Sequence, residues 1–310
     1  MLRCAGTEKQ PYFCAWCDSV GFRPNSPEQW DDILMEFKNS STTLTKSKFN
    51  LLVASVEFFF PNFKGKLNWC HAALRGWDIS NPTKHTIPML RAHASLLGIY
   101  IASYGYPRLC GGLIFQQRKG LRPGELLGLH HDDIVLPEEQ SGGHLRQTLS
   151  VGLGIKTGTK AKRPQSVIVL QHVDPDVVEF FRRLKRVSTP NQPLFPFPLE
   201  TYNRLIKSAE AKLGVCVGWT PHSARAGYAS EAKAAGVPFT EIRETGRWVA
   251  DSSLRIYIDV VSAAAIVTRL KTAGLEPALE WASAHWLCYC TEDRLAPRAW
   301  GACPPRVRSG

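Results

Sequence analysis

Apolar residues recur every three to four positions through most of this chain, and one stretch departs from that period. Trp30, Ile33, Leu34 and Phe37 share a face behind Ser26-Pro27-Glu28, which reads as an N-cap, a first-turn proline and a first-turn acid. A second helix is expected at about Thr45 to Phe60, with Phe49, Leu52, Val53, Val56 and Phe59 or Phe60 on its stripe and Pro61 as its stop. A third follows at roughly Lys66 to Trp77. Further helices are predicted near Pro88 to Tyr104 and Arg108 to Gly120, where Leu90, Leu96, Leu97, Ile99, Tyr100, Leu113, Ile114 and Phe115 are candidate core. Between Thr148 and Ile155, and again from Ser166 to Leu170, β-branched residues alternate around a basic turn, the pattern of a hairpin. Helical periodicity resumes at Pro175 to Lys185, Leu199 to Leu213, Ser223 to Ala235, about Pro238 to Gly246, Ser262 to Leu270 and Glu276 to His285. The expected fold class is mainly α with a small β-hairpin or sheet (α+β). Residues 1–26 read as irregular. The last stretch, with Trp286, Cys288, Cys290, Pro304 and Pro305, reads as poorly ordered.

Composition narrows the class. At 310 residues and 44% hydrophobic content the chain can bury a real core. Its 38 Lys and Arg against 27 Asp and Glu give a net charge of +11, the footprint of a protein that meets polyanions, although a membrane surface or an acidic protein would satisfy it equally. No apolar run approaches the roughly 18 to 20 residues of a membrane span, and the N-terminus shows no signal-peptide core, so a soluble, intracellular chain without a membrane partner is expected. Nine scattered cysteines fit reduced thiols better than a disulfide frame. Cys14-Ala15-Trp16-Cys17 lacks a second ligand pair, which favours incidental thiols over a metal site; no metal or cofactor is expected.

The candidate chemistry begins at Pro221-His222-Ser223-Ala224-Arg225. A histidine and an arginine three residues apart, after a Thr-Pro start, share one face of the first helical turns. Arginine's planar fork suits two oxygens of a phosphate, and a helix start adds partial positive charge. Downstream, Gly246-Arg247-Trp248 precedes Asp251-Ser252-Ser253, good N-cap residues, so Tyr257 should ride on or next to a helix. Upstream stand Gly120-Leu121-Arg122-Pro123-Gly124-Glu125-Leu126-Leu127 and Ile155-Lys156-Thr157-Gly158-Thr159-Lys160.

These five elements, in this order, resemble the signature of the tyrosine recombinases, the phage integrase family. The resemblance implies that fold's catalytic domain preceded by a short helical module, with residues 27–83 as a core-binding-like DNA clamp, 84–275 as the catalytic domain, and 276–310 as a C-terminal helix and tail. The module is short for a clamp, and packing on the catalytic domain is the other reading. Residues 277–285 are a candidate contact with a neighbouring protomer or with their own domain.

By the same resemblance Tyr257 is the nucleophile that forms a 3′-phosphotyrosyl link, in a phosphoryl transfer that needs no metal. Arg122 and Arg225 grip the non-bridging oxygens, and Glu125 orients Arg122 and His222. His222 accepts the tyrosine proton or hydrogen-bonds the phosphate. Lys156 is the candidate general acid, with Lys160 and Lys162 as rivals in the same turn. Trp248, where most relatives have histidine, can donate its indole N–H but cannot shuttle protons. Lys160, Lys162, Arg163 and Arg247 are candidate DNA contacts, Arg247 having a solvent-facing alternative. The implied function is a site-specific DNA strand-transferase acting as a homotetramer on double-stranded DNA. An inactive DNA-binding relative and a type IB topoisomerase or resolvase-like enzyme are the alternatives.

Overall fold

The computed structural model describes residues 11–21, 23–80, 86–141, 143–154 and 165–297, which form a mostly helical chain with one small antiparallel sheet. The chain divides into two compact units, Met1–Lys84 and His85–Gly310. No helix among the described residues is long and apolar enough to cross a membrane.

Among its described residues the first unit holds four α-helices, α1 (Pro11–Ser19), α2 (Pro27–Ser40), α3 (Lys46–Phe59) and α4 (Asn68–Ser80). Ser26 caps α2 by accepting from the Gln29 N–H, and Thr45 caps α3 by accepting from the Lys48 N–H. The apolar stripe of α2 is buried as its period requires, and Phe49, Val53 and Val56 of α3 join it. Phe60, not Phe59, completes that stripe; Phe59 faces solvent. Asp31 is buried in this unit, and its carboxylate accepts from the Trp69 and Cys70 N–H groups at 2.7 and 2.8 Å, which closes the first turn of α4. The expectation of an irregular N-terminus fails at α1. Pro11 opens that helix, and Phe13 packs edge-on against Phe37 with ring centroids 5.0 Å apart, so aromatic burial holds a segment whose turn-rich flank suggested a loop.

In the second unit α5 (Arg91–Ser103) and α6 (Pro107–Lys119) pack together through a tight link at Gly105. Every residue of α6 from Pro107 to Gln117 is buried, which makes it the axis of the unit. Its Gly111 and Gly112 permit this: a Cβ on either would overlap the ring of Phe180 or Phe195. After α7 (Pro123–Leu127) the chain forms β1 (Ile134–Val135), β2 (Thr148–Leu153) and β3 (Gln165–Leu170), antiparallel in that order, with Ser150 opposite both Val135 and Ile168. The hairpin reading misses β1, which is too short to show an alternation. The acidic segment before β2 is pinned to α8 (Pro175–Arg186), since Glu138 pairs with Arg182 at 2.8 Å and Glu139 accepts from Lys185 at 2.7 Å.

There follow α9 (Leu199–Lys212), α10 (Ser223–Ala234), α11 (Phe239–Thr245), α12 (Asp251–Arg255), α13 (Val260–Thr272), α14 (Glu276–His285) and α15 (Glu292–Leu295). Helix α14 packs on α5 of its own unit. Residues 286–297, expected to be poorly ordered, are folded: Trp286, Cys290 and Leu295 sit in the core, and the buried Arg108 donates to the Leu295 carbonyl at 2.7 Å. Three widely spaced apolar anchors hold this stretch, too few for a periodicity to register.

Gly227 of α10 lies flat against the backbone of Met89, whose N–H donates to the Ser223 carbonyl. A Cβ at position 227 would fall 1.7 Å from the Met89 carbonyl oxygen. Gly227→Ala is therefore expected to cost about 3 kcal/mol by overpacking against an immobile backbone. Urea unfolding measures this, and an unchanged midpoint would refute the contact.

Candidate active site

The candidate residues arise from separate stretches of the second unit. Helix α6 ends at Gly120, whose left-handed backbone (φ 58°) turns the chain into Leu121 and Arg122. Pro123 starts α7, and Glu125 in its first turn accepts from the Arg122 N–H at 2.8 Å and from Arg122 Nη1 at 2.6 Å. His222 stands immediately before α10, and Arg225 lies in its first turn. Trp248 follows the end of α11. Tyr257 sits in the turn after α12, adjoining a helix as expected. The predicted capping role of Asp251, Ser252 and Ser253 does not hold: they lie inside α12, the capping position belongs to Ala250, and Asp251 pairs with Arg243 at 2.8 Å.

Arg225 is the centre of the cluster. Its side chain is fully buried, Nη1 donates to the Gly120 carbonyl, and Nη2 donates to the Gly246 carbonyl at 2.7 Å. The guanidinium lies 3.8 Å from the centre of the Trp248 ring and 5.6 Å from that of Tyr257, whose rings are 5.5 Å apart. Each terminal nitrogen thus gives one N–H to a backbone carbonyl, which fixes the plane of the fork. Trp248 is nearly buried, and its Nε1 has no acceptor among the described residues. A Cβ on Gly246 would fall inside the Trp248 ring, so the glycine is the floor on which the indole rests.

Arg122 is the arginine left partly open, with a quarter of its side chain exposed. Glu125 holds it and also meets Arg247 Nη2 at 3.0 Å, but makes no hydrogen bond to His222. Burial pushes the Glu125 carboxyl up, yet the charge of Arg247 and the hydrogen bonds and charge of Arg122 outweigh this and keep it below its usual range. Arg247 does not face solvent: its side chain is 6% exposed. His222 is exposed at its edge, and partial withdrawal from water followed by the charges of Arg225 and Arg122 lowers its pKa. The same logic, burial first and Arg122 second, lowers that of Arg225. Lys156, Lys160, Lys162 and Arg163 lie outside the described residues.

Two residues that sequence reasoning missed hold the cluster in place. Gln116 of α6 is buried; its Nε2 donates to the Leu121 and Pro221 carbonyls at 3.1 and 2.8 Å, while its Oε1 accepts from the Tyr202 hydroxyl at 2.7 Å. It thereby joins the segment before Arg122 to the one before His222. Ser230 of α10 donates to the Tyr257 carbonyl at 3.3 Å and accepts from the Asp259 N–H at 3.0 Å. The available signal for Gln116 was a polar pair, Gln116-Gln117, closing the apolar run Leu113-Ile114-Phe115.

Comparison with solved structures fits this architecture. The chain is similar to the XerH site-specific recombinase bound to a palindromic difH substrate in a post-cleavage complex, with a TM-score of 0.52 at 12% identity, over 85% of this chain and 75% of that one. The fold is the tyrosine recombinase fold. A pre-cleavage XerH complex with difH gives a TM-score of 0.48 at 11% identity (79% and 72% covered), and the XerA recombinase gives 0.44 at 17% (84% and 93%). No protein-family model matches the chain, and no curated protein matches it in sequence.

His222 is expected to titrate below the ordinary value of roughly 6.5. Because the folded value lies below the unfolded one, this group is neutral in both states above the ordinary value and contributes no pH dependence there. As pH falls below it, the unfolded chain binds the proton first and stability declines until the folded value is reached. Imidazole carbon–proton NMR gives the midpoint, and Arg122→Gln should raise it; a midpoint at the ordinary value, unmoved by that substitution, would contradict the geometry.

Proposed function

We propose that this chain is a DNA strand-transferase of the site-specific recombinase type, working through a covalent phosphotyrosyl intermediate. The observation that carries the reading is the convergence of Arg122, His222, Arg225, Trp248 and Tyr257, drawn from separate segments, around one buried guanidinium. The tyrosine recombinase fold and the net charge of +11 support it.

In this reading Tyr257 Oη attacks the scissile phosphorus as its proton passes to His222, whose lowered pKa suits a proton acceptor near neutral pH. Arg122 and the Trp248 indole donate to the non-bridging oxygens of the pentacoordinate phosphate. The bond from phosphorus to the 5′-oxygen breaks, and that oxygen leaves with a proton from Lys156. Attack by a second strand's 5′-hydroxyl on the phosphotyrosine then expels the phenol and reseals DNA with no net loss of phosphodiester bonds. Arg225 supplies positive charge from within rather than a fork, and Lys160, Lys162 and Arg163 contact backbone phosphates. The partner is double-stranded DNA, the working assembly a homotetramer, the location DNA-associated, and residues 27–83 the DNA clamp.

One observation favours a second reading, an inactive DNA-binding relative: both terminal nitrogens of Arg225 are already engaged by carbonyls. Incubation with plasmid DNA, or with duplexes nicked at successive positions, followed by a denaturing gel separates the two. The active reading predicts a covalent protein–DNA band for the wild type that falls at least about 1000-fold in Tyr257→Phe. Salt-sensitive binding without any adduct would establish the second reading.

A further inference from the structure

Two residues other than glycine among the described ones have a left-handed backbone, Asn191 (φ 64°) and Arg247 (φ 59°). Asparagine tolerates that region; for an arginine it costs about 1 kcal/mol. The position follows the end of α11, where glycine is the common occupant. A strained backbone persists where its surroundings fix it. Here the strain turns the side chain inwards to the residues that hold Arg122. Nη2 of Arg247 meets Glu125 Oε2 at 3.0 Å, Nη1 donates to the Thr245 carbonyl at 2.9 Å, and the Lys119 and Gly120 carbonyls lie at 3.4 Å. Both charged partners are almost fully buried, at 6% and 8% exposure.

Glu125 is thus one carboxylate between two guanidiniums. Its Oε1 takes Arg122 Nη1, while Oε2 takes the Arg122 N–H and Arg247 Nη2. A buried carboxylate facing Arg122 alone would cancel the positive charge of that arginine and draw its fork down. Shared with Arg247, the same carboxylate fixes the orientation of Arg122 while leaving net positive charge at the site.

We infer that Arg247 is a positioning residue that acts through Glu125, keeping the Arg122 guanidinium oriented and its charge available to a phosphate, and tying the Arg122 turn to the segment that carries Trp248. The kinetic consequence rests on the proposed role of Arg122 toward the scissile phosphate; the geometric consequence does not.

The test uses the full chain and the variants Arg247→Gly, Arg247→Lys, Glu125→Gln and the Arg247→Gly, Glu125→Gln pair. Glycine relieves the backbone, so a staple needed only for folding would reveal itself as a stability loss, read by urea unfolding. The inference predicts that Arg247→Gly folds, binds nicked duplex within about threefold of wild type, and forms the covalent adduct about 100-fold more slowly at saturating DNA. The paired variant should fall no further than the slower single one. Arg247→Lys keeps the charge and the strained backbone but not the fork, and should recover part of the rate; it replaces the glycine variant if that one does not fold. Nitrogen–proton NMR of the Arg122 Nε–Hε group, assigned with Arg122→Lys, gives a reading independent of catalysis: its resonance should shift and broaden in Arg247→Gly. A wild-type rate in a folded Arg247→Gly, additive losses in the pair, or an unmoved Arg122 resonance would each overturn the inference. If the wild type forms no adduct, the proposed activity fails and the Arg122 resonance alone decides whether Arg247 positions it.

Discussion

The second unit depends on one buried cation. Arg225 reaches from the first turn of α10 to the carbonyl that ends α6 and to the carbonyl that ends α11, with the Trp248 ring beneath its plane. Those bonds join three segments that share no local sequence contact. A guanidinium without water needs its donors met; two carbonyls and an aromatic face meet part of that need, and Nε is left without an acceptor among the described residues. Lysine could not do this, since a single ammonium cannot span two carbonyls set apart by a planar fork.

The segments converge because α6 is both buried and polar at the right places. Arg108, Gln116 and Gln117 lie in its buried stretch, and each bonds to a group outside the helix: Arg108 to the Leu194 and Leu295 carbonyls, Gln116 to those of Leu121 and Pro221, Gln117 to the Glu231 carboxylate. Each such bond ties α6 to another segment and satisfies an acceptor that would otherwise be unmet in the core. Glycines set the distances: Gly246 lets the indole lie on the backbone, and Gly227 lets α10 lie on Met89. Electrostatics then separates the arginines by role. Arg225 and Arg247 are sunk among carbonyls and Glu125, while Arg122 and His222 keep an open edge toward solvent.

Helices with a full apolar stripe were legible, and α2, with its cap and its four buried apolar positions, is the clearest example. That Arg122, His222, Arg225, Trp248 and Tyr257 group together was legible too, from the order in which they match a known signature. What was not legible is long-range. Nothing local marks Phe13 or Leu295 as core, since each finds its partners far along the chain or through isolated contacts. The direction of a long polar side chain is likewise set by what surrounds it. The carbonyls at the ends of α6 and α11 that accept from Arg225 and Arg247 cannot be seen from spacing. The left-handed turn at Arg247 is hidden for the same reason, as a Gly-Arg pair suggests the special backbone conformation at the glycine, one residue too early.

The account stands on Arg225 as a structural tie before it is anything else. Urea unfolding of Arg225→Lys beside the wild type, with no DNA present, tests this directly. A loss of about 3 kcal/mol is predicted, since the variant keeps the charge but leaves buried carbonyls without donors. A lysine variant as stable as the wild type, deficient only in its action on DNA, would contradict it.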